Sequence, residues 1–383
     1  MKVLVISHTY ITGINRDKWK VFASKYNDVH LTVVFPKQWP THLFNHQATV
    51  LEKEHSSNCC FIALDAFNVG NEVKYGYYSR PLLNLLKTFQ PDVVHVEQGV
   101  CAFSYFQVIL YAWLLGLKTK FSFFTWVNWK QKNSLKYRLF WKPIEKINLF
   151  FSRGAVVGNH AAKEILCQSK ELKIISVIPQ LGVSQHVFKP VESTVLRDPN
   201  KKYIGFIGRI THEKGIFLLA QAFAEIQQDF PMWNLLFVGT GPESKQLIDY
   251  AVEQRLLDRI EFRNPVPHEQ VAQILYQIDI LVLPSYDTAV WKEQFGHVLI
   301  EAMACKVPVL GSTGGEIPQV IADGGLVFDQ KDRLDLMSKL KMLMENEILR
   351  KELGEKGFER MKNNYSHEVI AQKTYAFWQG LVE

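Results

Sequence analysis

The stretch at residues 280–318, ILVLPSYDTAVWKEQFGHVLIEAMACKVPVLGSTGGEIP, carries the pattern that decides the fold. It begins with a short apolar run, Ile280–Leu283, and contains a second one, Val307–Gly311, near its end. A mostly apolar segment that predicts a helix, Val298–Ala304, lies between them. Two buried strands joined through a helix predict a βαβ unit, whose strands are parallel.

The same alternation of short apolar runs and helical segments fills the rest of the chain. Strands are predicted at residues 2–7, 29–35, 92–96, 120–125, 154–158, 174–178, 203–207, 234–238, 260–263, 280–283 and 307–311. Helices are predicted at 17–25, 80–89, 103–115, 215–229, 242–253, 268–277, 298–304 and 333–345. This order predicts an α/β protein with two Rossmann-like, doubly wound parallel-sheet domains facing a cleft.

A polar stretch punctuated by prolines marks the predicted domain boundary. Pro190 and Pro199 lie in sequence that has no clear periodicity. The predicted divisions are a first domain at 1–186, a linker at 187–200, a second domain at 201–366 and a C-terminal helix at 367–383. We expect the C-terminal helix to cross back to the first domain.

The composition is that of an ordinary globular protein, with 47% hydrophobic and 21% charged residues. The five cysteines are odd in number and show no CxxC spacing, which predicts reduced thiols rather than disulfides or a metal site. The N-terminal run MKVLVISHTY is too short for the apolar core of a signal peptide. The most apolar stretch, Phe103–Leu117, is too short to span a bilayer and predicts a core helix. We therefore expect a cytoplasmic protein.

Charge is distributed unevenly along the chain. Residues 1–186 hold 22 Lys and Arg against 11 Asp and Glu, whereas the remaining residues hold 22 against 27. This asymmetry predicts that the first half faces something anionic, such as a membrane or a phosphorylated acceptor.

Residues 118–146 interleave basic with aromatic side chains. That pattern suits an anionic membrane surface, but also single-stranded nucleic acid or a solvated helix whose aromatic face lies in the core. The concentration of positive charge in this half of the chain favours the membrane. No nucleic-acid-binding module is recognisable, so no nucleic-acid partner is predicted.

Glu293 and Glu301 flank the start of a predicted helix and are separated by seven residues. Backbone N–H groups at Gly296, His297 and Val298 would form a positive helix end suited to phosphate. A solvated acidic helix start would contain the same two glutamates, so the pair alone does not establish a binding site.

Glycine-containing loops follow three other predicted strands. The loop GRITHEKG at 208–215 places two cations, Arg209 and Lys214, between a strand and a helix, as phosphate-binding loops do. It lacks the Walker pattern, and a plain strand–helix loop is the alternative. The loops at 239–241 and 311–318 carry GTG and GSTGGEIP, although tight turns also need glycine for backbone reasons.

Taken in order, these loops resemble the nucleotide-binding domain of glycosyltransferase family 4, the retaining enzymes of GT-B fold. The matching stretches within residues 203–330 are GRITHEKGI, FVGTGPE, LVLPS, EQFGHVLIEAMACKVPVLGSTGGEIPQVI and GLVF. Looser matches in the first half are MKVLVIS, PDVVHVE, AVVGN and VIPQLGVSQHVFKP.

The resemblance implies a nucleotide-sugar donor site that needs no metal or other cofactor. Gly208, Arg209 and Lys214 would hold the diphosphate. Glu293 would be catalytic, contacting the transferred sugar and stabilising developing positive charge, and Glu301 would bind the ribose. The other donor-binding residues that it implies are Val266, Ser285, Phe295, Gly296, His297 and Val298.

The resemblance implies that the first domain binds the acceptor. Many relatives carry a His shortly after the fourth strand of that domain. Val127 occupies this position here, and we expect the neighbouring Asn128 to supply the polar contact in catalysis. Further acceptor-side residues are expected at Gly13, Glu97 and Trp126.

The predicted activity is therefore transfer of a hexose from a UDP- or GDP-sugar to a hydroxyl, with retention at the anomeric carbon. The acceptor would be a glycan, a lipid-linked molecule or a small molecule, in bacterial-type polysaccharide, glycolipid or glycoconjugate synthesis, with the protein at the inner face of the membrane. The alternatives are a non-catalytic sugar-nucleotide- or lipid-binding subunit and a GT-B epimerase or phosphorylase.

Overall fold

A computed structural model describes residues 1–40, 54–55, 58–128, 137–168, 172–191, 198 and 200–383. The chain forms two compact units. Unit 1 comprises Met1–Gly182 and His367–Glu383, and unit 2 comprises Val183–Ser366.

Unit 1 is built on a largely parallel sheet with the strand order β10-β9-β8-β7-β1-β2-β4-β3. Its strands are β1 Lys2–Ile6, β2 His30–Pro36, β3 Glu54–His55, β4 Cys59–Leu64, β7 Val93–Val96, β8 Lys120–Thr125, β9 Ser152–Val157 and β10 Ile174–Val177, with a separate hairpin of β5 Ala66–Phe67 and β6 Gly76–Tyr77. Its helices include α1 Asp17–Lys25, α2 Ser79–Phe89, α3 Phe103–Leu114, α4 Lys142–Phe151 and α5 His160–Cys167. Only the short β3 pairs in the antiparallel direction among the described strands of this sheet.

Both faces of the unit 1 sheet are covered because its central strands carry apolar side chains on both sides. In β1, Val3 and Val5 belong to one buried cluster, which contains Trp19 of α1. Leu4 and Ile6 of the same strand belong to a second cluster, which contains side chains of α2 and α3. Since successive side chains of a strand point to opposite faces, the continuous apolar run requires a helix layer on each side.

Unit 2 is a fully parallel six-stranded sheet with the order β13-β12-β11-β14-β15-β16. Its strands are β11 Lys202–Ile207, β12 Trp233–Val238, β13 Ile260–Arg263, β14 Ile280–Leu283, β15 Val309–Ser312 and β16 Leu326–Phe328. Its helices are α6 Ile216–Ile226, α7 Ser244–Glu253, α8 Val271–Leu275, α9 His297–Ala304, α10 Ile317–Ile321, α11 Arg333–Glu345 and α12 Glu347–Asn364. The strand order reverses between β11 and β14, and ligands of such sheets bind outside the carboxyl ends of the strands at this point.

The last helix, α13 His367–Val382, returns to unit 1, as the sequence predicted. Trp378 stacks on Trp19 of α1 with the ring centroids 5.5 Å apart. Tyr375 stacks on Tyr26 at 4.0 Å. Aromatic packing therefore holds the C-terminal helix against the first helix of the chain.

The predicted fold class, with two Rossmann-like parallel-sheet domains, is confirmed, but the chain passes into the second unit earlier than expected. Val183 forms a β-bridge with Ser366 at the other end of unit 2. Phe188 is buried, with its ring 5.5 Å from that of His268. Residues 183–188 are thus part of unit 2 rather than the end of the first domain and the start of a linker, because their apolar side chains pack there. The rest of the predicted linker lies partly outside the described residues.

Candidate active site

Two adjacent strands of unit 2 carry most of the predicted donor-site residues in the loops that follow them. Gly208, Arg209 and Lys214 follow β11, whereas Ser285 and Glu293 follow β14. β11 and β14 pair in parallel, so both loops leave the same edge of the sheet. The strand order reverses at this pair, which places the two loops on either side of the switch point.

The structure brings Lys214, Ser285 and Glu293 into direct contact. The Nζ of Lys214 donates to the Oε2 of Glu293 over 2.6 Å, and the Oγ of Ser285 donates to the same oxygen over 2.9 Å. Glu293 is only 7% exposed. The Nζ of Lys214 also lies 5.1 Å from the centre of the Trp291 ring. A buried carboxylate is thus held by a cation and a hydroxyl from two different loops.

The loop after β15 fixes the backbone of Glu293. The amide of Glu316 donates to the carbonyl oxygen of Glu293 over 3.1 Å. Gly315 has a φ of +52°, and a Cβ at this position would lie 2.1 Å from the same carbonyl oxygen. Only glycine permits this approach, which gives the third glycine of GSTGGEIP, Gly315, a specific structural reason.

Helix α9 begins immediately after this cluster. Gly296 has left-handed backbone angles, with φ 81° and ψ 59°, and His297 starts the helix. The preceding Phe295 is buried, with its ring 5.5 Å from that of Tyr365. The first N–H groups of α9, including that of Val298, therefore belong to a helix whose start is fixed by packing.

Glu301 lies on the second turn of α9 and is paired with a residue that the sequence reading missed. The Nε2 of His268 lies 2.8 Å from the Oε1 of Glu301. His268 follows β13 and lies two residues after Val266, one of the predicted donor-binding residues. The contact therefore links the loop that contains Val266 to the helix that contains Glu301.

The pKa of His268 reflects competing effects. Burial alone would lower it, but the hydrogen bond that His268 donates to Glu301 and the charges of Glu301 and Glu269 outweigh burial and raise the pKa above its ordinary value. Protonated His268 consequently strengthens the contact with Glu301.

Arg209 differs from Lys214 in being exposed to solvent. Within the described ranges of the chain, no carboxylate lies within ion-pair distance of its guanidinium. The loop after β11 thus offers one cation held by Glu293 and a second that faces solvent. A guanidinium, an ammonium group and a helix start around a pair of carboxylates can bind a phosphorylated molecule that also carries hydroxyl groups.

In unit 1, Glu97 is held by several neighbouring side chains. Glu97 is buried at the end of β7, where Lys18 donates to its Oε1 over 2.9 Å and the hydroxyl of Tyr10 donates to its Oε2. Gln180 donates to Oε2 over 3.2 Å. Burial by itself raises the pKa of Glu97, but the charges of Lys18 and His95 and the hydrogen bonds from Tyr10 and Lys18 outweigh burial and lower the pKa. Both oxygens of Glu97 are thus engaged by side chains of unit 1, and its contact with an acceptor stays a prediction.

Trp126 and Asn128 follow β8 but differ in their surroundings. Trp126 packs on Gly158 and donates from its Nε1 to the side chain of Gln180 over 3.0 Å, so its indole is part of the packing of unit 1. Asn128 is buried. Gly13 lies in a short helical turn after β1, where its nearest neighbour for an added Cβ is Arg16. Contacts of Gly13, Trp126 and Asn128 with an acceptor stay predictions.

A family model described as "Glycosyl transferases group 1" matches residues 191–360, which contain all the donor-site residues named above. The chain is 27% identical over 285 residues to the phosphatidylinositol N-acetylglucosaminyltransferase gpi3 subunit of Schizosaccharomyces pombe, a match covering 74% of this chain and 60% of that protein. It is 31% identical over 176 residues to the N-acetyl-alpha-D-glucosaminyl L-malate synthase of Bacillus anthracis, covering 45% of this chain and 44% of that one. The chain thus spans less than two thirds of the length of either relative.

Solved structures show the same fold over the whole chain. A sucrose-phosphate synthase from Thermosynechococcus elongatus superimposes with a TM-score of 0.71 at 20% identity, covering 100% of this chain and 99% of that one. Anabaena HepE in complex with UDP gives a TM-score of 0.72 at 14% identity, covering 99% and 100%. These likenesses confirm the GT-B fold. The match over residues 191–360 agrees with the resemblance of this region to glycosyltransferase family 4.

Proposed function

We propose that this glycosyltransferase transfers a hexose from a UDP- or GDP-sugar to a hydroxyl group, with retention at the anomeric carbon. The observation that carries the proposal is the contact of Lys214, Ser285 and Glu293 at the point where the strand order of unit 2 reverses. This is where a parallel sheet binds a nucleotide, and the cluster contains the charges that glycosyl transfer requires.

Each group has a role in the proposed reaction. The acceptor oxygen attacks the anomeric carbon while the bond from that carbon to the diphosphate breaks, and a phosphate oxygen takes the proton of the acceptor hydroxyl. Arg209, Lys214 and the start of α9 stabilise the negative charge that develops on the leaving diphosphate. The carboxylate of Glu293 stabilises the positive charge on the sugar, and Glu301 accepts hydrogen bonds from the ribose hydroxyls.

No metal is required in this scheme because the two cations and the helix start neutralise the leaving group. Turnover should therefore persist after exhaustive treatment with EDTA. A loss of turnover that added Mg²⁺ or Mn²⁺ restores would refute the metal-independent part of the proposal.

The proposed acceptor is a hydroxyl compound that carries negative charge. The names of similar glycosyltransferases include phosphatidylinositol, L-malate and D-inositol 3-phosphate, all of which are anionic. The excess of Lys and Arg in residues 1–186 agrees with an anionic partner for the first half of the chain. We place the reaction in the synthesis of a glycolipid, polysaccharide or other glycoconjugate, at the cytoplasmic face of a membrane.

A panel of nucleotide-sugars tests the donor assignment. Wild-type protein is heated with UDP- and GDP-sugars, including UDP-N-acetylglucosamine, and the donor that raises the Tm is then assayed for hydrolysis and transfer. The configuration of the product at its anomeric carbon is read by NMR. Stabilisation by none of the nucleotide-sugars, together with no turnover, would refute the donor proposal, and an inverted product would refute retention.

A further inference from the structure

Five large apolar side chains on two neighbouring helical segments of unit 1 are each more than 60% exposed. Trp113 and Leu114 end α3, Leu139 and Phe140 stand just before α4, and Phe150 lies near the end of α4. Trp113 and Phe150 are exposed by 65% and 79%. Together these five residues form what we call the α3–α4 face. Large exposed apolar groups in such number mark an interaction surface.

The two helices contribute to one continuous surface at their C-terminal ends. A groove of about 450 Å³ is lined by Trp113 from α3 and by Phe150 and Phe151 from α4. Residues 103–117 were predicted to form a core helix, and the first part of α3 is buried as expected. The helix emerges at Trp113 and Leu114, which are exposed.

Positive charge accompanies this apolar surface. Arg138, Lys142 and Lys146 recur at every fourth residue, so they share one side of the helical segment, and all three are exposed. In the described stretches of the chain, no carboxylate lies within ion-pair distance of these three cations. Glu145, the one acidic residue of α4, accepts a hydrogen bond from Tyr137 over 2.6 Å.

The charge imbalance extends well beyond α4. Residues 98–144 contain seven Lys and Arg and no Asp or Glu. The groove beside Trp113 and Phe150 is also lined by Lys120, Arg153 and Lys173. The surroundings of the apolar side chains are therefore cationic on more than one element.

We propose that the α3–α4 face docks on a membrane containing anionic lipid, with its aromatic side chains among the lipid headgroups and its cations on their phosphates. Such a membrane offers an apolar layer beneath a negative surface, which matches both components of the face. A two-fold dimer through this face would place the same cations opposite one another, which argues against a second copy as the occupant. This inference rests on the membrane location given in the proposed function and assigns the membrane contact to named residues.

The docking surface is separate from the donor site in the chain, so the two can be tested independently. The whole 383-residue chain is sedimented with vesicles of phosphatidylcholine alone and of phosphatidylcholine mixed with phosphatidylserine. One variant carries Trp113→Ser and Phe150→Ser, and a second carries Arg138→Gln, Lys142→Gln and Lys146→Gln. Matched controls remove exposed groups of unit 2, with Leu334→Ser and Ile348→Ser in one variant, and Lys245→Gln, Lys351→Gln and Lys356→Gln in the other.

We expect wild type to bind the anionic vesicles and to bind neutral ones much more weakly. The triple cation variant should lose roughly a hundredfold in affinity for anionic vesicles, from about 1 kcal/mol for each cation near the surface. The apolar variant should bind more weakly at any salt concentration, whereas both controls should bind like wild type. Circular dichroism checks that each variant is folded.

Equal binding of wild type to both vesicle types, or equal losses in the face variants and their controls, would overturn the proposal. A wild-type dimer in solution that Trp113→Ser and Phe150→Ser dissociate would also overturn it, by showing that a second copy covers the face. Donor hydrolysis without vesicles should be unchanged in the face variants. Vesicle binding without any hydrolysis by wild type would refute the proposed function and leave the docking surface standing.

Discussion

The Nζ of Lys214 lies 2.6 Å from the Oε2 of Glu293, and the two residues come from loops that follow adjacent parallel strands. In the proposed reaction Lys214 serves the diphosphate and Glu293 serves the sugar, so the contact joins the two halves of the donor site. A donor whose diphosphate lies beside Lys214 would place its anomeric carbon near Glu293. Because the two residues contact different parts of the donor, we expect substitution of Lys214 to change donor affinity and substitution of Glu293 to change turnover.

Replacing Lys214 with Met should weaken UDP binding by about 10- to 100-fold. The change removes a charge-assisted hydrogen bond to phosphate worth about 1.5–3 kcal/mol. Isothermal titration calorimetry with UDP measures the loss. Lys245→Met, which removes an exposed cation of the same unit, is the control and should bind UDP like wild type. Equal affinity in Lys214→Met and wild type would remove Lys214 from the diphosphate site.

Gly315→Ala should lower both the Tm and the affinity for UDP. The added Cβ would lie 2.1 Å from the carbonyl oxygen of Glu293, so the loop that holds Glu293 must move. Gly116→Ala is a matched control, since Gly116 also has a positive φ, +65°, but has no atom within 4 Å of an added Cβ. The control should lose about 1–2 kcal/mol through backbone strain alone and keep its affinity for UDP. Unchanged UDP binding in Gly315→Ala would contradict the role given to this loop.

His268 should make stability depend on pH near neutrality. Its pKa is raised in the folded protein, so the folded state holds the proton more tightly than the unfolded chain does. The stabilisation by protonated His268 is complete below its ordinary pKa of 6.5 and is lost as the pH rises through the folded value. Thermal unfolding between pH 5.5 and about 8 should therefore show a smaller fall in Tm for His268→Gln than for wild type. His186→Gln, at an exposed position, should leave the profile as in wild type.

Lys18→Met should destabilise the protein by about 3–5 kcal/mol, because it leaves the buried carboxylate of Glu97 without its cation. Lys20→Met on the same helix is the control and should cost less than about 1 kcal/mol, since Lys20 is exposed and lies 3.8 Å from Asp17. Urea unfolding followed by circular dichroism measures both changes. A stability loss no greater than that of the control would show that the Lys18–Glu97 pair does not hold unit 1 together.

The sequence was sufficient for most of the fold because the strands of both sheets are buried on two sides and stand out as short apolar runs. β8, β13, β14 and α11 have the predicted bounds, and α13 ends one residue before its predicted end. β4 was missed, since its residues, CCFIAL, include two cysteines that pack as small apolar groups and have no strong strand preference. α12 was also missed, because its sequence is largely polar.

Contacts between side chains distant in sequence explain which features of the candidate residues the sequence did not predict. His268 and Glu301 are 33 residues apart, and nothing in the local sequence of His268 identifies its partner. Glu97 was predicted to be a ligand because it ends a parallel strand, a position where binding residues occur. Its burial and its pairing with Lys18, 79 residues away, depend on how α1 packs on the sheet. The sequence therefore predicted where a carboxylate lies relative to a strand, but not which side chain it pairs with.

Turnover of the nucleotide-sugar that stabilises the protein, compared between wild type and Glu293→Gln, tests the central claim most directly. The amide can still accept from Ser285 and Lys214, so the variant should fold and bind UDP nearly as wild type does. Without the carboxylate charge, kcat should fall by about 10²–10³-fold, the range seen when one stabilising group is removed from a transition state. A Glu293→Gln variant that keeps the wild-type kcat would contradict the assignment of this residue and the active site built around it.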